Sequence, residues 1–169
     1  MKFDAVTPKN DVFNSIEKFL ENEGFYISKM DDQRPWGGFF VIDEAQAPKF
    51  IKLFFPHLNV DDFRGFPKLS PKILLVAPEK RLSWQYHHRR SEIWKVIGGN
   101  AAIVISDTDE ETPVKPLLLG DVVNLKQGER HRLIGVDEWG IIAEIWQHTD
   151  ATYPSDEDDI VRLQDDFGR

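Results

Sequence analysis

Two imidazoles, one carboxylate and one carboxamide recur in this sequence at a spacing that suits a metal centre. In the stretch from Leu82 to Trp94, Gln85 and His87 stand two apart, so in a strand both side chains leave the same face. Glu92 follows far enough on for a tight turn and a return strand, and His131, from a separate strand, completes the set. Nitrogen and oxygen donors without thiolate suit a divalent first-row cation. Gln85, His87, Glu92 and His131 are therefore the expected metal ligands.

Those residues must be presented by strands. From Lys72 onward the pattern is one of short strands with turn punctuation, expected at 72–77, 81–87, 92–97, 101–106, 114–118, 121–125, 131–136 and 140–147. Gly98-Gly99-Asn100 and the acidic run from Asp107 to Glu111 read as hairpin turns. A strand at 38–42 is expected to join the same sheet. About eight short strands at regular spacing imply a mainly β, antiparallel, closed or double-sheet architecture. In the last strand Ile142, Glu144 and Trp146 share one face and Ile141, Ala143 and Ile145 the other. Glu144 is a carboxylate embedded in apolar sequence, read either as an edge residue reaching solvent or as an inward functional acid.

Residues 10–23 read as a helix packed on the outside of the domain. Asn10 or Asp11 caps it, Val12, Phe13, Ile16, Phe19 and Leu20 form the apolar stripe, and Gly24 ends it. A second helix, over 45–55, carries Phe50, Ile51, Phe54 and Phe55, with Pro48 limiting its start. Residues 155–167 read as a short capped C-terminal helix, with Ile160, Leu163 and Phe167 docking.

The chain has 169 residues, 30% of them charged, with no cysteine and a formal net charge of -8. That balance fits one globular domain, divided as an N-terminal extension 1–29, an insert 44–69, a barrel core 70–150 and a tail 151–169. The acidic balance argues against a nucleic-acid partner. No run reaches the roughly 18 unbroken apolar residues of a membrane span. Lack of cysteine excludes disulfides. With no apolar leader after Met1, a cytoplasmic location is expected.

Gln85-x-His87, Glu92 and Gly99 fall in the register of the first cupin motif, with Gln85 in the first His place and Glu79 in the first Gly place. Gly120, Gly128 and His131 fall in that of the second, with Lys126 in place of Pro and Gly135 in place of Asn. Arg34 to Phe39, Leu82 to Trp94 and Glu157 to Arg169 sharpen the match. Together they resemble the cupin domain of type II mannose-6-phosphate isomerases, over roughly residues 30–43 and 70–169. Residues 1–29 and 44–69 have no counterpart in those motifs. The resemblance implies a double-stranded β-helix, or jelly-roll barrel. It also implies a divalent ion, zinc first, with manganese, iron, cobalt or nickel able to take the same ligands. The expected reaction is aldose–ketose isomerisation of a sugar phosphate, mannose 6-phosphate to fructose 6-phosphate, through a cis-enediol. No Gly-rich nucleotide-binding start precedes the cupin, so sugar-nucleotide synthesis is not expected. A homodimer is possible by analogy.

Isomerisation needs a base, an electrophile on the carbonyl and hydroxyl oxygens, and a clamp for phosphate. Glu144 is the first candidate base and Lys72 the alternative. Arg162 matches a family-pattern arginine and is placed over the barrel mouth, to stabilise the enediolate or hold phosphate. Arg34 and Arg89 are further phosphate candidates, although Arg34 is equally read as a structural partner of Trp36. His88 is expected on the opposite face from His87, and Arg90 and Lys80 in solvent. The 44–69 segment, with Asp61, Asp62, Arg64 and Lys68, is either a lid over the mouth or a solvated loop. Two other function classes compete: a non-catalytic sugar-binding or sensing cupin, and another cupin enzyme such as an epimerase or oxygenase.

Overall fold

A computed structural model describes residues 1–169. Eleven strands and two helices follow one another as α1 (Lys9–Asn22), β1 (Ile27–Arg34), β2 (Gly37–Ile42), α2 (Ala47–Phe54), β3 (Lys72–Val76), β4 (Trp84–Tyr86), β5 (Arg90–Gly98), β6 (Ala101–Ser106), β7 (Lys115–Leu117), β8 (Val122–Leu125), β9 (Arg130–Ile134), β10 (Gly140–His148) and β11 (Val161–Gln164). The strands form two antiparallel sheets, of order β1-β2-β3-β10-β5-β8 and β11-β4-β9-β6-β7. This is the antiparallel double-sheet architecture expected from the strand pattern, and the double-stranded β-helix that the resemblance implies.

The period of two along β10 decides what lies on each side. Ile141, Ala143 and Ile145 point outward into a core shared with α1 and α2. Ile142 joins a second core between the sheets, with Leu74, Val96, Ile103, Leu125 and Leu133. Being covered on both faces, the central strands β3 and β10 are buried along nearly their whole length and β5 along most of its own. The turn from β5 to β6 requires glycine at Gly99: its φ is +62°, and a Cβ there would lie 2.0 Å from the carbonyl oxygen of Trp139. Glu79, in the first Gly place of the cupin motif, adopts the left-handed conformation glycine would take, with φ +62°.

Val12, Phe13, Ile16 and Leu20 seat α1 on the outer sheet face, and Gly24 follows its end with φ +81°. Neither Asn10 nor Asp11 caps the helix. It starts after Pro8, whose φ of -59° presets the turn, and no side chain accepts from its first amides. The 44–69 segment is not a lid. Its Phe50, Ile51, Phe54, Phe55 and Phe63 are buried in the outer core, and a carboxylate oxygen of Glu44 accepts from the amides of Leu69 and Ser70 at 2.9 Å each. Its Asp61 and Arg64 are solvated loop charges that pair with each other.

The tail departs most from expectation. No helix forms over 155–167; a turn at 157–158 leads into β11, which pairs with β4 in the register Val161↔Tyr86 and Arg162↔Gln85. The free edge of β4 offers backbone partners that an isolated short helix lacks. Buried Arg132 holds the strand there by donating to the backbone and side-chain oxygens of Gln164. Leu163, expected to dock, is left exposed.

Candidate functional site

Strand register assembles the site. Gln85 on β4 lies directly opposite His131 on β9. In the other sheet Lys72, Glu144 and Trp94 form one row across β3, β10 and β5, with Trp146 opposite Glu92 beside it. Lys72, Gln85, Glu92, Trp94, Glu144 and Trp146 line a cavity of about 70 Å³ between the sheets, walled also by Glu157, Ile160, Arg162 and Arg169 of the tail.

His87, Glu92 and His131 are all buried, and one donor atom from each lies within 4.8 Å of the others. Nε2 of His87 is 3.3 Å from Glu92 Oε1, and Nε2 of His131 is 3.7 Å from Oε2. Each ring donates its Nδ1–H to a backbone carbonyl, His87 to Asp159 at 2.7 Å and His131 to Glu129 at 3.0 Å. Carbonyls only accept, so a neutral ring must carry its proton on Nδ1 and present a bare Nε2. His131 Nε2 is buried without any hydrogen-bond partner. An orphaned lone pair beside a carboxylate and a second imidazole is the donor set a divalent cation requires. Gln85 adjoins this set, its Nε2 3.4 Å from His87 Nε2 and its Oε1 accepting from Ser83 at 2.5 Å. Turning the amide over exchanges the two atoms and aims the oxygen inward.

The electrostatics agree. Burial pushes the His87 pKa down to about 3, and that of His131 is lowered by the same cause. Burial alone would raise Glu92, but Arg90, His87 and His131 override it and hold the carboxyl at about 2. Glu144 goes the other way. Burial first, then the charge of Glu92, pushes it up to about 8 against the pull of Lys72 and Arg90. Its oxygens accept from two indoles, Trp94 Nε1 at 2.7 Å and Trp146 Nε1 at 2.8 Å. Of the two readings of Glu144, the inward acid is the one observed.

Lys72 is buried, its Nζ 4.4 Å from the Phe39 ring centre and 4.2 Å from that of Trp146. Its hydrogen-bond partner is Glu157 on the tail, at 2.6 Å. Arg34 and Arg162 line the cavity; Arg34 is tethered to Asp31 at 3.0 Å and lies over Phe39, not Trp36. Arg89 does not line the cavity. It sits outside, over Tyr153 and 3.7 Å from Asp156 and Asp159. His88 is exposed, as expected.

Arg90, expected in solvent, is instead buried at the centre. Its Nε donates to Glu92 at 2.7 Å, Nη1 to Ser155 at 2.8 Å and Nη2 to His87 Nε2 at 3.1 Å, and the guanidinium stacks 3.5 Å from the Trp146 ring centre. Arg90 and Glu92 are two apart on one strand, and that parity was the available signal. Arg169, Trp94, Trp146, Glu157 and Asp159 were also missed. All but Trp146 fall in the segments that carry the family resemblance, yet their spacing does not mark them as site residues; strand pairing and tail docking bring them in.

No helix is long and apolar enough to cross a membrane. The family model described as mannose-6-phosphate isomerase C-terminal matches residues 21–165. The match runs through 44–69, for which the motifs offered no counterpart. A mannose-1-phosphate guanylyltransferase of Salmonella montevideo is 29% identical over 160 residues, covering 94% of this chain and 28% of that protein. The alginate biosynthesis protein AlgA of Pseudomonas aeruginosa is 33% identical over 130 residues, covering 74% and 24%. The chain thus spans 28% or less of the length of these two relatives. The capsular polysaccharide assembling protein CapF from Staphylococcus aureus shares the fold at a TM-score of 0.54, with 14% identity over 80% of this chain and 34% of that one. With its two sheets, its motif register and this match, the chain belongs to the mannose-6-phosphate isomerase C-terminal family and is a cupin.

Proposed function

We propose that this protein is a metal-dependent aldose–ketose isomerase acting on a phosphosugar, with mannose 6-phosphate and fructose 6-phosphate as the pair. The observation that carries the reading is a cavity lined by Glu144, a buried acid with a raised pKa, and by Glu92, whose carboxylate lies beside His87 and the orphaned Nε2 of His131. His87, Glu92 and His131, with the Gln85 amide oxygen, would hold a divalent cation, zinc first. Bound there, the cation supplies Lewis-acid polarisation of the sugar's carbonyl and hydroxyl oxygens.

The chain's own residues do the rest. Glu144, as carboxylate, takes the proton from C2 of the aldose and returns it to C1, while the O2 hydroxyl proton passes to O1. The intermediate is a cis-enediol and the sum is an isomerisation. The Trp94 and Trp146 N–H groups fix the carboxylate's orientation through both transfers. Arg34, Arg162 and Arg169 at the mouth are set to meet the phosphate. Arg162 and Glu157, both exposed, stand at the rim of this cavity, where the phosphate end of the sugar would lie.

A second reading has an observation of its own. The Arg90 guanidinium already contacts both His87 Nε2 and Glu92, so it can stand in for a cation in a barrel that binds sugar without turning it over. The discriminating experiment incubates metal-loaded protein with mannose 6-phosphate and follows fructose 6-phosphate. Turnover abolished by His87→Ala and by His131→Ala upholds the isomerase. Saturable sugar-phosphate binding without turnover establishes the second reading instead.

A further inference from the structure

We propose that Asp159, on the C-terminal tail, is a positioning residue that sets His87 for cation binding, so that the metal centre is complete only when the tail is docked. The inference rests on the metal reading above. The two imidazoles are oriented differently. His131 takes its orienting acceptor from Glu129, two residues away on its own turn. His87 takes its acceptor from Asp159, far along the chain.

Asp159 grips the 87–89 segment with both its backbone and its side chain. The backbone carbonyl accepts His87 Nδ1–H at 2.7 Å. The carboxylate accepts from the amide of His88 at 2.9 Å and of Arg89 at 3.0 Å. Ser155 Oγ donates a third bond at 2.6 Å. The side chain is wholly buried, and the turn that carries it is closed by Asp159 N–H donating to Asp156 Oδ1 at 3.0 Å. Three donors into a buried carboxylate make a rigid tie. Its geometric consequence is a carbonyl fixed against His87 Nδ1, which holds the ring in the tautomer whose Nε2 faces Glu92 and His131.

The test compares Asp159→Ala, Asp159→Asn, Ser155→Ala and Asp166→Asn. Asp166 pairs with Arg81 at 2.6 Å, so its variant loosens the tail without touching the 87–89 tie. Two quantities are read on metal-free protein: zinc affinity by competition with a chromophoric chelator, and the His87 tautomer by nitrogen NMR. Asp159→Ala is expected to bind zinc about 10–100-fold more weakly and to show a mixed His87 tautomer. Asp159→Asn, which keeps one of the carboxylate's two backbone acceptors, falls between, and Ser155→Ala loses less. Asp166→Asn keeps wild-type affinity. Wild-type affinity and a pure Nδ1–H tautomer in Asp159→Ala overturn the proposal, as does an equal loss in Asp166→Asn. If wild-type protein binds no zinc, the metal reading fails, and the tautomer measurement alone then decides for or against Asp159.

Discussion

The indole N–H of Trp94 is shared by two buried carboxylates, 3.0 Å from Glu92 Oε2 and 2.7 Å from Glu144 Oε2. One donor thus joins the candidate metal ligand to the candidate base. Each carboxylate also has a partner of its own, Arg90 for Glu92 and Trp146 for Glu144. Trp94→Phe keeps most of the ring volume and strips the shared bond, leaving two acceptors underserved. Removing a partner from a buried polar group costs about 1–3 kcal/mol, and urea unfolding should show a loss in that range. A double-mutant cycle with Glu144→Gln should return a coupling energy above about 0.5 kcal/mol. A coupling of zero would mean that the indole bridges the two groups in geometry alone.

Glu144→Gln preserves shape and one acceptor while removing the base. General acid–base groups contribute on the order of 10²–10⁴ in rate, so kcat for mannose 6-phosphate isomerisation should fall by that factor with zinc content unchanged. His87→Ala and His131→Ala should instead lose bound metal together with turnover, as elemental analysis would record. Retained turnover in Glu144→Gln would pass the role of base to Lys72, which lies directly across the sheet from Glu144.

Three arginines separate phosphate binding from mere surface charge. Arg162 and Arg169 line the cavity, whereas Arg89 is occupied outside it by Tyr153 and Asp159. A hydrogen bond to a charged group is worth about 1.5–3 kcal/mol. Arg162→Ala and Arg169→Ala should therefore raise KM for a sugar phosphate roughly 10- to 100-fold, with a smaller change in kcat. Arg89→Ala should leave KM where it was. The reverse pattern in steady-state kinetics would move the phosphate to the outer face.

Much of this arrangement was legible in the sequence because a period of two is a strong signal in buried strands. The alternation Ile142, Glu144, Trp146 assigned its faces correctly, and the fold brings donor atoms of His87, Glu92 and His131 within 4.8 Å of one another, with Gln85 opposite His131. Two of the edge strands, β1 and β11, were not legible. β1 reads Ile-Ser-Lys-Met-Asp-Asp-Gln-Arg and is largely exposed, so it carries no apolar alternation. Its pairing with β2 is a tertiary fact. In the tail, Ile160, Leu163 and Phe167 mimic helical spacing, yet the open edge of β4 and the guanidinium of Arg132 draw the segment into a strand. Arg90 was misjudged because charged residues are nearly always solvated. Its site supplies Glu92, Ser155 and the face of Trp146 in place of water.

His148 gives the fold a stability that depends on pH. Its ring is buried, with Nδ1 accepting from the Ser155 amide at 2.9 Å and Nε2 donating to Ser70 Oγ at 2.9 Å. A backbone N–H can only donate, so Nδ1 carries no proton and Nε2 does. In that tautomer His148 cannot act as a base towards Ser70, and the pair is structural. Burial first, then the nearby charges of Lys68 and Arg90, lowers the pKa from 6.5 to about 4. Above pH 6.5 neither folded nor unfolded chain protonates this residue, and its contribution is fully present. Between 6.5 and 4 the unfolded chain takes up a proton that the folded one refuses, so stability falls as pH falls; below 4 both are protonated and the contribution is gone. The full span is worth roughly 3 kcal/mol. His148→Gln offers one donor and one acceptor without titrating. The difference in unfolding free energy between wild type and variant should therefore shrink steadily from pH 7 to pH 4, and a difference that stays flat across that window would show that His148 is protonated alike in both states.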